Sequence, residues 1–427
     1  MEVVARYATN RVRIKESFHL KAVATVFKSG VMRFPHGFLW GAATAAHQIE
    51  GNNVNNDWWR AEVAGRLPHR SDDACDSWNR WAEDIALLSR IGLNAYRLSV
   101  EWARIEPEPG RFDQAALDTY RRQLEGLKEA GIEPLVTLHH FTSPCWLADL
   151  GGWRNPEIVA RLANYADHVA RQLSDLVKWW VTINEPSILG LKGYIEGSWP
   201  PHRPMDLRGY VRLMRHAARG HITARQAVRA HRPDAMISMA FALWPMQAFR
   251  WWSPIDQAMA RVGDWLWQGR VLDRALPGLD WIGVNYYSRN LVGWPWPTSP
   301  AVDPARRTDF GWEIYPEGLY DVLRRVGAYG KPVVITENGI ADASDGKRAA
   351  YIVAHVRQMH RAISAGVDLR GYMHWSLMDN FEWAEGYNQR FGLATRDRVL
   401  RPSASVYGRI ARANALEDEV LTVTPAI

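Results

Sequence analysis

The stretch KPVVITENGI, residues 331–340, decides how the chain is read. Pro332, Val333, Val334, Ile335 and Thr336 make a short apolar run of strand character. A single carboxylate, Glu337, follows, and then Asn338-Gly339, a pair that predicts a turn. A strand too apolar to face water belongs in a sheet covered on both sides, as parallel sheets are. A charged residue at its end then marks where the chain leaves that sheet.

The pattern recurs along the chain. Strands are predicted at 38–43, 94–99, 134–139, 178–183, 235–240, 281–286, 332–336 and 370–375. Between most of them lie amphipathic helical stretches, such as 113–130 and 156–176. The first of these opens on Asp113, an expected N-cap, and repeats Leu117, Tyr120, Leu124 and Leu127 at helical spacing. Strict β/α alternation with buried strands predicts an α/β fold, a (β/α)8 TIM barrel forming a single domain over 32–416. A doubly wound open sheet is the alternative. It lacks support because no glycine-rich phosphate loop follows the first strand. Residues 241–280, rich in tryptophan, read as a long, partly helical excursion whose Trp244, Trp251, Trp252, Trp265 and Trp267 either line a binding site or pack on the barrel's outer face.

Composition narrows the function. Apolar residues make up 47% of the 427, enough for a large core. Two cysteines, Cys75 and Cys145, cannot build a disulfide framework, and no Cys/His cluster suggests a structural metal. No run approaches the roughly 20 apolar residues of a membrane span. The pI near 9.3 invites a nucleic-acid partner. However, residues 1–31 carry six Lys/Arg against Glu2 and Glu16, so most of the net +6 lies there. No nucleic-acid or membrane partner is therefore expected. The 1–31 leader is expected to stand outside the fold, as an extension upstream of a start at Met32 or as an organelle transit segment. Its AVATVF run is too short for a secretory signal, and cytoplasmic placement is the expectation. The tail, 417–427, is expected to fray.

In a barrel of this kind chemistry is found at the carboxyl ends of the strands. Those ends read Gln48 and Glu50 after the first strand, Arg97 in the second, and His139-His140 in the third. The fourth reads Asn184-Glu185 and the sixth Asn285-Tyr286-Tyr287. Glu337 ends the seventh, and Trp375, then Asp379, Asn380, Glu382, Trp383 and Glu385, follow the eighth. Glu185 in TINEP and Glu337 in ITENG lie 152 residues apart at matching strand tips. Hydrolysis of a glycosidic bond needs such a pair, about 5–5.5 Å apart when configuration is retained. Their pKa values must differ, so that one is protonated while the other is ionised.

These segments resemble glycoside hydrolase family 1, the retaining β-glucosidases and β-galactosidases. The resemblance runs from FPHGFLWGAATAAHQIEG (34–51) to RPSASVYGRIA (401–411). It implies Glu185 as general acid/base and Glu337 as nucleophile, with Arg97, Asn285 and Tyr287 supporting the nucleophile. It also implies that Gln48, His140, Asn184, Glu382 and Trp383 bind sugar hydroxyls and that Trp375 forms the platform beneath the ring. The implied reaction needs no metal and no organic cofactor. Its substrate is a small β-glycoside or oligosaccharide carrying a terminal β-D-glucosyl, galactosyl or fucosyl group, and it proceeds through a covalent glycosyl-enzyme with transglycosylation open to it. The other class of protein on such a scaffold is a non-catalytic sugar binder, which usually lacks one or both glutamates; this chain has both. Oligomeric state is left open.

Some positions depart from the family pattern. His139-His140-Phe141-Thr142 stands where Tyr-His-Trp-Asp is common, and His47 where Tyr is common; His47 and His139 are expected behind the site or in the core. Glu385 would repel a phosphate, which favours an unphosphorylated sugar. Phe391 is expected near the donor pocket.

Overall fold

A computed structural model describes residues 31–295, 303–417 and 420. The expectations for the leader and the tail lie, apart from Val31, Glu417 and Val420, outside the described residues. The eight predicted strands are all present, with ends displaced by no more than two residues: β1 (Leu39–Ala43), β2 (Ala95–Ser99), β3 (Glu133–His139), β4 (Trp179–Asn184), β5 (Met236–Ala242), β6 (Ile282–Asn285), β7 (Val333–Asn338) and β8 (Leu369–Trp375). They close into one barrel in sequence order, every neighbour parallel and β8 pairing back onto β1.

The helices between strands form because each offers one apolar stripe. In Gln114–Glu129 the buried set includes Leu117, Tyr120, Leu124 and Leu127, as the spacing predicted. Asp113 caps it, its side chain accepting the amide of Ala116 at 3.1 Å, an interaction worth about 1 kcal/mol. Helix Ile158–Leu173 buries Ile158, Leu162, Tyr165, Val169 and Leu173 in the same way. The main core fills the layer between helices and barrel, while a second cluster, with Leu135, Trp179, Val181, Trp281, Val334 and Met373, plugs the barrel's interior. Trp179 and Trp281 meet edge to face there, ring centroids 5.5 Å apart.

Strand β7 corrects the first reading. It continues through Glu337 to Asn338, and Glu337 pairs in register with Asn285 of β6. Asn338 and Gly339 do not form the predicted turn. Asn338 is fully buried; it donates to the Tyr286 carbonyl at 2.7 Å and accepts from the Tyr372 hydroxyl at 3.0 Å. Gly339 is needed for room, because a Cβ there would stand 1.8 Å from the carbonyl oxygen of Trp375.

The 241–280 excursion combines a short strand, Met246–Ala248, with helices Pro254–Asp264 and Arg270–Ala275. The short strand pairs with Asn290–Val292. None of the five tryptophans joins the core: Trp251 and Trp252 stand in solvent, and Trp267 packs on Tyr210. Among the described residues no helix is long and apolar enough to cross a membrane.

Candidate active site

Glu337 is 4% exposed, and both its oxygens are occupied by donors. Arg97, wholly buried on β2, places one guanidinium nitrogen 2.5 Å from Oε1, and the Tyr287 hydroxyl donates to Oε2 at 2.8 Å. Arg97 is itself fixed: Nε donates to Thr137 Oγ1 at 3.1 Å and its other terminal nitrogen to Asn184 Oδ1 at 2.8 Å. Burial raises the Glu337 pKa, and Arg97, Tyr287 and Asn285 oppose that rise by favouring the anion. Tyr287 keeps its proton, since burial and the charge of Glu337 hold its pKa well above the ordinary value.

Glu185 meets a different environment. It is the residue after β4, at φ +41°, where it starts helix Pro186–Gly190. Its hydrogen bond comes from a neutral amide, Asn285 Nδ2, at 2.7 Å. Burial and the nearby charge of Glu337 push its pKa up to about 8. One carboxyl is thus kept protonated and its neighbour supported as an anion, the division that acid and nucleophile require. Asn285 stands between them: it also donates to Asn184 Oδ1 at 3.1 Å and accepts from Thr336 Oγ1 at 2.6 Å.

The other predicted residues converge on the same mouth. Asn184 Nδ2 lies 3.1 Å from His140 Nε2. Because both partners of Asn184 Oδ1 are donors, the amide must donate to the imidazole, which leaves the proton of neutral His140 on Nδ1. Burial, with Arg97 adding to it, holds the His140 pKa well below its usual value, so the ring stays neutral. Nδ1 has no protein partner, and neither does the buried Oε1 of Gln48. A donor and an acceptor are therefore left without a protein partner. The amide nitrogen of Gln48 is occupied by the Phe381 carbonyl at 2.9 Å, Asn380 Oδ1 at 3.1 Å and Glu382 Oε2 at 3.3 Å. Glu382 is pushed up to about 8 by burial and by Glu337, against hydrogen bonds from Trp375 and Gln48. His140 stacks between two indoles, 6.0 Å from Trp375 and 6.1 Å from Trp383.

Several contacts of the mouth carried no expectation. Trp58 and Trp199 join Phe141 and Trp383 in an aromatic wall with ring centroids 4.6–5.8 Å apart. Both tryptophans lie in segments without strand or helix periodicity, so only their size signalled burial. Asn380 and the Phe381 carbonyl orient Gln48; the sequence MDNFEW was legible as polar but not as a clamp. Trp312 packs on Tyr287 at 5.4 Å and Phe310 on Trp312 at 4.2 Å, so the aromatic FGW at 310–312 was the available signal.

The histidines and the remaining residues fall into place around this centre. His47 stacks on Trp383 at 5.9 Å and meets Glu62 at 2.9 Å, behind the site as expected. His139 is buried, bonded to Ser143, and pushed down to about 3 by burial. Phe391 lies in the interior cluster with Trp375, and Glu385 is exposed. Phe141, Glu185 and Trp383 all hold positive φ, a strain of about 1–3 kcal/mol each that tends to collect at working sites.

The sequence profile described as glycosyl hydrolase family 1 matches residues 31–267 and 277–416. The chain is 36% identical to beta-glucosidase A of Thermotoga maritima, over 91% of this chain and all of that one. It is 31% identical to a beta-galactosidase of Sulfolobus acidocaldarius, over 91% of this chain and 97% of that one. Among solved structures, a beta-glycosidase from Pyrococcus horikoshii superposes with a TM-score of 0.86 at 36% identity, covering 92% of this chain and 98% of the other.

Proposed function

The chain belongs to glycosyl hydrolase family 1 and is a glycoside hydrolase, and on that premise we propose that it is a retaining β-glycosidase acting on terminal, unphosphorylated β-D-glucosyl groups, with β-galactosyl and β-fucosyl groups also accepted. The observation that carries this reading is the unlike setting of two neighbouring carboxyls. Glu337 is held by Arg97 and Tyr287, whereas Glu185 is held by Asn285 alone and pushed up to about 8.

In the first step Glu337 attacks the anomeric carbon while Glu185 gives its proton to the departing glycosidic oxygen. The glycosyl group is then esterified to Glu337, whose negative charge is spent. With that charge gone, the second largest cause of the raised Glu185 pKa is gone too, and the newly ionised Glu185 can take a proton from water. Attack by that water, or by an acceptor alcohol in transglycosylation, releases the sugar with its configuration kept. Arg97 and Tyr287 hold Glu337 in place through both steps and receive it again as a free anion.

In the donor subsite, Gln48 Oε1 and His140 Nδ1–H are the open partners for hydroxyls, Glu382 and Trp383 complete the ring of polar contacts, and Trp375 lies beneath the sugar. Exposed Glu385 adds negative charge near Glu382, which disfavours a phosphorylated sugar. Proton NMR of an aryl β-glucoside during hydrolysis tests the proposal. The β-anomer of glucose must appear first and mutarotate later; initial release of the α-anomer would overturn it.

A further inference from the structure

A second cavity, of about 360 Å³, lies between helix Asp57–Val63 and the loops that follow β3 and β4. Neither glutamate lines it, and neither does any of the side chains assigned to the sugar. Phe141 is common to this cavity and to the aromatic wall of the sugar site, so the two are neighbours with a ring between them. The volume falls in the range of sites for small organic molecules, about 300–1,000 Å³.

The lining is apolar in its walls and cationic at its rim. Phe141, Leu189 and Pro200-Pro201 supply flat and aliphatic surface. Arg60, Arg66 and Arg203 supply three guanidiniums. Arg60 is paired with Asp149 at 2.5 Å, while Arg66 and Arg203 have no ion pair among the described residues. Asp57, the sole acid among the lining residues, accepts the Ser143 amide at 2.9 Å and is pushed by burial up to about 7. At mildly acidic pH the cavity is therefore net positive.

We propose that this cavity is a ligand site separate from the sugar subsite, and that its ligand is an aromatic carboxylate. The ring fits the Phe141, Leu189 and proline walls. The carboxylate meets Arg66 and Arg203, which stand exposed at the rim. A neutral sugar would leave both arginines unused, and an inorganic anion would leave the apolar walls uncovered.

Calorimetric titration of the full chain at pH 6 with 4-hydroxycinnamate tests this. One molecule should bind, and its neutral amide should bind about tenfold more weakly, since the charge-assisted bonds are lost. Arg66→Ala and Arg203→Ala, both at exposed positions, should each weaken the acid by about the same factor while hydrolysis of an aryl β-glucoside is unchanged. Glu337→Gln should bind the acid as the parent does. The proposal is overturned by no saturable binding at millimolar acid, by equal affinity for the amide, or by a changed affinity, tighter or weaker, in Glu337→Gln. The last result would place the acid in the sugar site. None of these three overturning results depends on catalysis, so failure here leaves the glycosidase reading standing, and the reverse holds as well.

Discussion

Asn285 and Glu337 are register partners on adjacent strands, and the same Asn285 amide that lies beside Glu337 donates to Glu185 at 2.7 Å. A single neutral side chain thus links the two carboxyls, while the buried guanidinium of Arg97 is given to Glu337. The difference in their protonation follows from this unequal sharing more than from burial, which both experience.

The pH dependence of kcat/KM should be bell-shaped. Glu185 must carry its proton, so activity falls as pH rises through about 8. Glu337 must be ionised, so activity falls on the acid side at a pH above the ordinary carboxylate value of 4.5. The two apparent values belong to the pair. With a dinitrophenyl glucoside, whose leaving group needs no acid, Glu185→Gln should lose the alkaline limb. A limb that persists would assign it to Glu382, which is also raised to about 8.

Tyr287→Phe removes one of the donors to Glu337. A hydrogen bond to a charged group is worth about 1.5–3 kcal/mol, so kcat/KM should drop roughly 10- to 100-fold. The acid limb should also move to higher pH, because the anion has lost support. A pH–rate profile with an unmoved acid limb would show that the hydroxyl does not hold the anion.

The site should cost stability in a pH-dependent way. The folded pKa of Glu185, about 8, lies above the ordinary 4.5 that it has when unfolded. The stability tied to its protonated form is therefore full below 4.5 and is lost as pH rises towards 8. Glu185→Gln escapes this loss. Its melting temperature relative to the parent should rise between pH 5 and pH 8, by an amount equivalent to a few kcal/mol, on the order expected for a shift of several pH units. A difference that stays constant across that range would contradict the assigned shift.

How much of this was legible in the sequence depends on what each residue touches. The strands were readable because a parallel barrel buries both faces, turning each into an apolar run. Strand β7 was read short because Glu337 and Asn338 are polar, although the sheet keeps both. The two glutamates were found as strand ends with matching neighbours. Their partners were only partly found: Arg97 sits 240 residues from Glu337 in sequence, and nothing local shows that its other guanidinium nitrogen goes to Asn184. The aromatic wall and the arginine-rimmed cavity escaped notice for a simpler reason. Trp58, Trp199, Arg60, Arg66 and Arg203 come from a short helix and loops, where no periodicity reveals which side chains meet.

The central claim is that Glu337 becomes covalently bonded to the sugar, and trapping that ester tests it most directly. A 2-fluoro-2-deoxy-β-glucoside with a dinitrophenyl leaving group should inactivate the enzyme with one equivalent of dinitrophenol released. The intact mass should rise by one fluoroglucosyl unit, and peptide mapping should place it on Glu337, within VVITENG. A label on any other residue, or turnover with no labelled enzyme, would contradict the account.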